Sequence, residues 1–430
     1  MRRRRAIGLL AATLAACAAD APRRSEQGLD APGWRLVGEF EPMSTVWFSG
    51  IAGHETITVG LVAALHPHVA LRCLVPDAAA EQGARALLQA RGLGAVPVGY
   101  VQEPLSSFFV RDLAVFTRGP QGERGVLDFR WTQYGVPAWC ARRHAGDAAM
   151  IERCAADADY SREAFEPALA RQLGLRLQRS VLAIEGGGIE ANGQGLLIAN
   201  ESLFRSRNPG LGLPEIDASL RRLPGIRKVI WLPQGLAEDP LLRATVTGEH
   251  IAWGTAGHTD EFVRFAGPRT VLLAWPDDDM ARSHPVARLT RQRMEANLRI
   301  LEQAGDADGR PLTVLKLPMP RPIERRVFLS AVPDAGRSRQ WSADHFPAAE
   351  GRRQGQPLTE MAIASYLNFV PANGVVVLPD YLPHGTPRAL QDRVQRVIEQ
   401  AFPGRQVRFV DAITANWVGG GLHCATLHQG

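Results

Sequence analysis

Gly419-Gly420-Gly421-Leu422-His423-Cys424 lies close to the end of a chain of 430 residues. Three consecutive glycines let the backbone reach positive φ and admit close approach by a ligand, and they deliver one cysteine at the end of the turn. Taken alone, the hexamer leaves two readings open. Cys424 is either a nucleophile at the rim of a pocket or a buried thiol at the start of a last strand, since free cysteine is among the most buried side chains.

Three stretches elsewhere bear on that choice. In Gly257-His258-Thr259-Asp260-Glu261-Phe262, a strand conformation would put His258 and Asp260 on one face. Phe109-Val110-Arg111-Asp112-Leu113-Ala114-Val115-Phe116 sets a charged pair inside an otherwise apolar strand. Burying such charges is costly unless they are paired, so Asp112 either meets Arg111 or another internal cation, or it faces a cleft. In Ile184-Glu185-Gly186-Gly187-Gly188-Ile189-Glu190, a carboxylate ends an apolar strand and glycines open the turn, so Glu185 is a site residue or a turn residue.

One sulfur, one imidazole and three carboxylates form a coherent chemical set. A guanidinium is planar, cationic and presents five N–H donors in a fork, which paired carboxylates can receive bidentately. Its delocalised charge resists attack, so breaking its C–N bond calls for a strong nucleophile at close range, and a thiolate suits. A cationic substrate and a nearby imidazolium would be expected to lower the thiol pKa from about 8.5.

Composition supports a globular chain: 45% hydrophobic and 22% charged residues. Arg2 to Arg5 precede an apolar run, residues 6–16, and Cys17, the layout of an export signal too short to span a bilayer. Leu14-Ala15-Ala16-Cys17 resembles a bacterial lipobox. Residues 1–17 are therefore expected to be a signal peptide with Cys17 as lipidation site, 18–33 a flexible tether and 34–430 the catalytic domain, anchored by lipid and facing the periplasm or cell exterior. Of the formal net charge of +5, those four arginines supply four, leaving +1 and no nucleic-acid footprint. Cys73 reads as core, whereas Cys140 and Cys154 either pair in an oxidising compartment or stay free.

Apolar strands and helical segments alternate through 45–49, 61–65, 69–75, 78–89, 96–101 and 108–117. Further strands are expected at 181–184, 196–199, 228–232, 270–274, 313–317, 375–378 and 407–410, with amphipathic helices around Met294, Leu298 and Leu301 and around Leu390, Val394, Val397 and Ala401. Thr386-Pro387 reads as the capped start of the latter. Residues 131–180, with a helix over 162–173, and 332–358 read as surface excursions. The class is mixed α/β, with a strand-strand-helix-strand unit recurring every 60 to 80 residues or so.

Seven ordered motifs resemble the agmatine deiminase family, which includes bacterial peptidylarginine deiminases within a wider guanidino-group-modifying superfamily. They are Glu39-Phe40-Glu41-Pro42 ahead of Trp47, Arg111-Asp112, Asp128-Phe129 with Tyr134-Gly135, Glu185-Gly186-Gly187, Gly257-His258-Thr259-Asp260, Ser365-Tyr366-Leu367-Asn368-Phe369, and Gly419 to Cys424. The resemblance implies a five-bladed α/β propeller with pseudo-fivefold symmetry around a central site. It further implies that Cys424 attacks the guanidinium carbon, His258 protonates the departing ammonia, and His258 then activates water against a covalent thiouronium. Asp112 and Asp260 would clamp the guanidinium, Glu185 would orient His258 or add to the negative pocket, and Asn368 and Gly421 would contribute to substrate binding. His423 is expected to be structural, on the opposite strand face. No metal or cofactor is expected. The partner would be agmatine, arginine or peptidylarginine: Leu113-Ala114-Val115 stands where agmatine enzymes usually carry Thr-Gly-Pro, and His258-Thr259-Asp260-Glu261-Phe262 resembles the peptidylarginine form more, while the Glu185 and Cys424 motifs lean towards the agmatine enzymes. An amidinotransferase, or a guanidine-binding surface protein without turnover, remains the alternative on the same residues.

Overall fold

The computed structural model describes residues 25–330 and 340–430. Among these residues one unit occurs five times. A short strand runs antiparallel to a second strand, helices follow, and a third strand returns parallel to the second. The five sets are Thr426–Gln429 with Thr45–Ser49 and Ala70–Val75; Val115–Arg118 with Arg124–Arg130 and Arg176–Ala183; Glu190–Ala191 with Leu196–Asn200 and Lys228–Leu232; Val263–Phe265 with Thr270–Trp275 and Thr313–Pro318; and Val370–Pro371 with Val375–Pro379 and Gln406–Val410. The first set combines strands from far apart in the sequence: Thr426–Gln429 pairs with Thr45–Ser49, which is consistent with a closed five-unit arrangement. This is the mixed α/β arrangement that the five-bladed reading anticipates.

The second strands are largely apolar because both faces are covered, although Arg124–Arg130 carries Asp128 and an arginine at each end. TVWFS, LLIAN and VVVLP are buried at every position. Such continuous runs are the mark of parallel pairing beneath crossover helices. The helix Arg388–Ala401 buries Leu390, Val394 and Ile398 at four-residue spacing. Its start has no side-chain cap, and the Thr386 hydroxyl instead accepts the Arg321 N–H at 3.1 Å.

A sixth sheet, in the order Leu241–Thr247, His250–Thr255, Pro357–Met361, Glu324–Phe328, lies outside the repeat. The 131–180 excursion holds the helices Val136–Arg143, Ala148–Ala156 and Phe165–Leu173, and a Cys140–Cys154 disulfide ties the first two together. Within the expected tether 18–33, the described residues 25–33 are held to the rest of the chain. Gln27 already pairs with Arg179, Leu29 is buried, and Glu26 meets Arg222 at 2.7 Å. Cys17 and the rest of the expected signal lie outside the described residues.

Candidate active site

The repeat places the site. Each expected site carboxylate, Asn368 and Cys424 precedes the short first strand of a unit. Asp112 leads into Val115–Arg118, Glu185 into Glu190–Ala191, Asp260 into Val263–Phe265, Asn368 into Val370–Pro371, and Cys424 into Thr426–Gln429. Five turns from five units thus bring side chains up to 312 residues apart in sequence to one buried cluster.

Local backbone differs from the expected strands. Asp112 sits in the one-turn 3-10 helix Val110–Leu113, and Asp260 in the single helical turn Thr259–Phe262, so strand alternation is not what aligns His258 with Asp260. The turn before His258 is fixed instead by Asp239. Its carboxylate accepts the Thr255 and His258 N–H groups and, at 3.1 Å, the Gly257 N–H. Asp112 does not pair with Arg111. Arg111 Nη1 lies 2.7 Å from Glu39 Oε1, which leaves Asp112 to face the imidazole.

Cys424 is buried, and its Sγ receives Asn368 Nδ2–H at 3.1 Å, with Asp260 Oδ2 at 3.5 Å and Glu261 Oε1 at 3.8 Å. Asn368 organises the nucleophile turn: its Oδ1 accepts the His423 N–H at 2.7 Å and the Cys424 N–H at 3.3 Å. Gly421 is required there for space, because a Cβ would lie 2.6 Å from Asn368 Oδ1. On the other side His258 Nε2 lies 3.2 Å from Glu185 Oε2, and its Nδ1 lies 3.7 Å from Asp112 Oδ1. Gly187 packs against this pair, where a Cβ would sit 2.4 Å from Nδ1. The five expected catalytic side chains thus fall into two contacting groups, Cys424 with Asp260 and His258 with Asp112 and Glu185, and the charge of Asp260 is felt by both Asp112 and His258.

Tyr134, Arg207 and Glu39 carried no role in the sequence-based expectations, and His423 was expected only to be structural on a strand face. Tyr134 donates to Asp112 Oδ2 at 2.9 Å, aimed by positive φ at Gln133 and Tyr134. Arg207 Nε reaches both oxygens of Glu185 at 2.9 Å and anchors it to the Thr255 carbonyl through Nη2. His423 lies in the nucleophile turn, where it joins Asp260 Oδ2 (2.7 Å) to Glu39 Oε2 (2.7 Å). Glu39, Tyr134 and Glu261 all lie in or beside the quoted motifs. Arg207 and Asp239 had no local signal.

The electrostatics follow from burying so many acids together. Burial, and next the neighbouring Glu185 and Asp260, push Asp112 up to about 6 against the pull of His258. Burial alone would lower His258, but Asp112, the bond to Glu185 and Asp260 outweigh it and hold the imidazole at about 9. Glu185 is brought down to about 2, because Arg207 and His258 overcome its burial. In the free protein burial, then Asp260, Glu261 and Asp112, hold the Cys424 thiol well above the ordinary thiol range. The free site therefore combines an imidazolium with a neutral thiol at neutral pH.

Three buried polar atoms in this cluster have no hydrogen-bond partner: His258 Nδ1, Asp260 Oδ1 and Glu261 Oε2. Buried polar atoms are nearly always satisfied, and a concentration of exceptions beside a thiol marks a place built for a polar ligand. A planar cation rich in N–H donors supplies what the two carboxylate oxygens lack.

Comparison with known proteins places the chain. A profile for the Porphyromonas-type peptidyl-arginine deiminases matches residues 40–430. The chain is 35% identical to the agmatine deiminase of Ectopseudomonas mendocina over 256 residues, 59% of each protein. It is 27% identical to that of Pseudomonas fluorescens over 413 residues, 92% of this chain and 89% of the other. In structure it is similar to the Enterococcus faecalis agmatine deiminase, with a TM-score of 0.67 at 20% identity over 95% of this chain and 99% of that one. With its site assembled from the turns of five repeated units, the chain belongs to the Porphyromonas-type peptidyl-arginine deiminase family.

Proposed function

We propose that the substrate of this guanidino-group deiminase is a small ω-guanidino amine of the agmatine type, and that Cys424 and His258 carry the hydrolysis. The enclosure of the cluster carries this reading: Cys424, His258, Asp112 and Asp260 are all at least 94% shielded from solvent. A free guanidine can be engulfed there, whereas an arginine within a folded protein would have to bring its own backbone along.

Bound between Asp112 and Asp260, the cation adds the positive charge that the thiol lacks, so the thiol proton leaves as substrate arrives. Asp260 Oδ2, 3.5 Å away, is an acceptor within reach. Sulfur bonds to the guanidinium carbon. His258 Nδ1, free of any hydrogen-bond partner, gives its proton to one nitrogen, the C–N bond breaks, and ammonia departs. The thiouronium left on Cys424 is attacked by water, whose proton His258 takes. The C–S bond then breaks to give a ureido product and the free thiol. Glu185, held by Arg207, keeps the Nε2 edge of the imidazole occupied so that Nδ1 faces the reaction.

The experiment compares ammonia release from agmatine, free arginine and an internal-arginine peptide. Agmatine should be preferred by at least tenfold in kcat/KM. Preference for the peptide would overturn the substrate assignment, and amidino transfer to added glycine would overturn hydrolysis. Export with lipid attachment at Cys17 is part of the same proposal. The Cys140–Cys154 disulfide supports an oxidising compartment, and Cys17→Ala should release the protein from membranes.

A further inference from the structure

Where the helical segment of the fourth unit meets the sixth sheet, three potential metal ligands from three elements come together. His250 opens the strand His250–Thr255, Glu324 opens the strand Glu324–Phe328, and His284 immediately precedes the helix Pro285–Gln303. Glu324 Oε2 lies 3.1 Å from His284 Nε2 and 3.8 Å from His250 Nε2. One nitrogen or oxygen of each residue falls within 4.8 Å of the others. The imidazole planes are inclined at 74°, with ring centres 5.2 Å apart. The two histidine side chains are mostly shielded, at 15% and 18% exposure, while Glu324 at 45% opens one side to water.

The spacing suits a small divalent ion. Zinc bonds imidazole nitrogen and carboxylate oxygen at about 2.0–2.2 Å, so adjacent tetrahedral ligands stand roughly 3.3–3.6 Å apart. The two distances to Glu324 bracket that range, and shifts of a few tenths of an ångström would close the site. Two imidazoles with one carboxylate select zinc, copper or nickel over magnesium or calcium, which prefer all-oxygen sets. Two features oppose binding. Arg326 pairs across Thr359 with the His250 position and puts a cation on the same sheet face, and coordination through His284 Nε2 would forfeit the acceptor role of Nδ1 towards the Ala287 N–H. Arg326 is solvent-exposed and its guanidinium lies over Phe328, while the Ala287 contact is long at 3.4 Å, so both costs are small.

We propose that His250, His284 and Glu324 form a site for one divalent transition-metal ion, zinc foremost, with the fourth position open to water. The ion would clamp the helix Pro285–Gln303 to two strands of the sixth sheet. One of these strands, His250–Thr255, runs on through Ala256 and Gly257 to His258. The site is structural, lies outside the deiminase chemistry and adds rigidity to the chain segment that delivers the imidazole.

The test uses the full, chelator-stripped protein titrated with zinc chloride by calorimetry, with melting followed in parallel. Cys424, Asp260 and Glu261 also cluster within ligand distance, so the titration is repeated in Cys424→Ala. One equivalent should bind in both proteins and raise the melting temperature reversibly with EDTA. His250→Ala and His284→Ala should each weaken binding at least tenfold while melting like their parent in EDTA, and Glu324→Gln should weaken it less. Zinc binding that survives His250→Ala and His284→Ala, or is lost only in Cys424→Ala, would overturn the assignment, as would no binding at all to the folded protein.

Discussion

Asp112→Asn separates a site carboxylate from a structural one. The side chain keeps its size, and its remaining oxygen can still accept the Gly187 N–H, now 3.3 Å from Oδ1. It loses the charge that would face the guanidinium. Two charge-assisted hydrogen bonds at roughly 1.5–3 kcal/mol each amount to about 3–6 kcal/mol, so kcat/KM should fall roughly a hundredfold to ten-thousandfold, with KM raised and kcat lowered together. Stability should move the other way. Asp112 is lifted from 3.8 to about 6, so its ionisation disfavours the free fold, and this penalty develops as pH rises from about 4 to about 6 and is fully present at neutral pH. At about 1.36 kcal/mol per unit the cost is at most about 3 kcal/mol, and the variant should melt at or above the parent temperature. Its pH profile is the sharper readout. In the parent, kcat/KM should decline as pH falls through about 6, where Asp112 gains a proton, and as pH rises through about 9, where His258 loses one. The variant should lose the acid limb. Activity within threefold of the parent, an unchanged limb near 6, or a lower melting temperature would refute the reasoning.

Cys424→Ala should abolish ammonia release while retaining guanidine affinity, measured by calorimetry, since the carboxylates that hold the cation remain. Tyr134→Phe removes the donor to Asp112 Oδ2 and should lower kcat/KM by about tenfold or more without a change in melting temperature; steady-state kinetics decides it. Glu39→Gln withdraws the partner of Arg111 and Arg264, both buried, and should cost about 3–5 kcal/mol in denaturant unfolding. Cys140→Ser opens a disulfide spanning 14 residues, whose closure contributes about 3 kcal/mol; limited proteolysis should cut the 136–156 segment faster, with activity falling because Tyr134 directly precedes its first helix.

Apart from Arg124–Arg130, which Asp128 and an arginine at each end interrupt, and the first half of Arg176–Ala183, the second and third strands of each unit were legible because they carry apolar runs, as in VVVLP at Val375–Pro379. The first strands were not. Glu190–Ala191 and Val370–Pro371 are two residues long and Val263–Phe265 three, too short for any periodicity to register. Without them the fivefold repeat could not be counted, although every motif that carries chemistry abuts one. The expected strand conformation around Asp112 and Asp260 fails for the same reason. The chain there is in the tight turn that precedes a first strand, and a turn fixes side-chain direction by backbone hydrogen bonds, such as those of Asp239, rather than by alternation.

The sign of the Cys424 shift shows a different limit. A lowered thiol pKa was expected from a cationic substrate and a nearby imidazolium, whereas the local sequence shows only glycines and a histidine beside the thiol. In the fold, His423 is committed between Asp260 and Glu39, with Arg111 and Arg264 adding to the burial that keeps its pKa down, so it brings no dependable positive charge to the sulfur. The carboxylates that raise the thiol pKa come from units 163 to 312 residues away, and no window around Cys424 contains them. Those same carboxylates suit a cationic substrate, so under the proposed mechanism the features that silence the thiol in the free protein would be the ones that admit the guanidinium. Reactivity would then be tied to occupancy: the charge that activates the sulfur would arrive with the molecule to be cleaved, and a buried thiol kept neutral until then would be shielded from adventitious oxidation, which follows thiolate character and exposure.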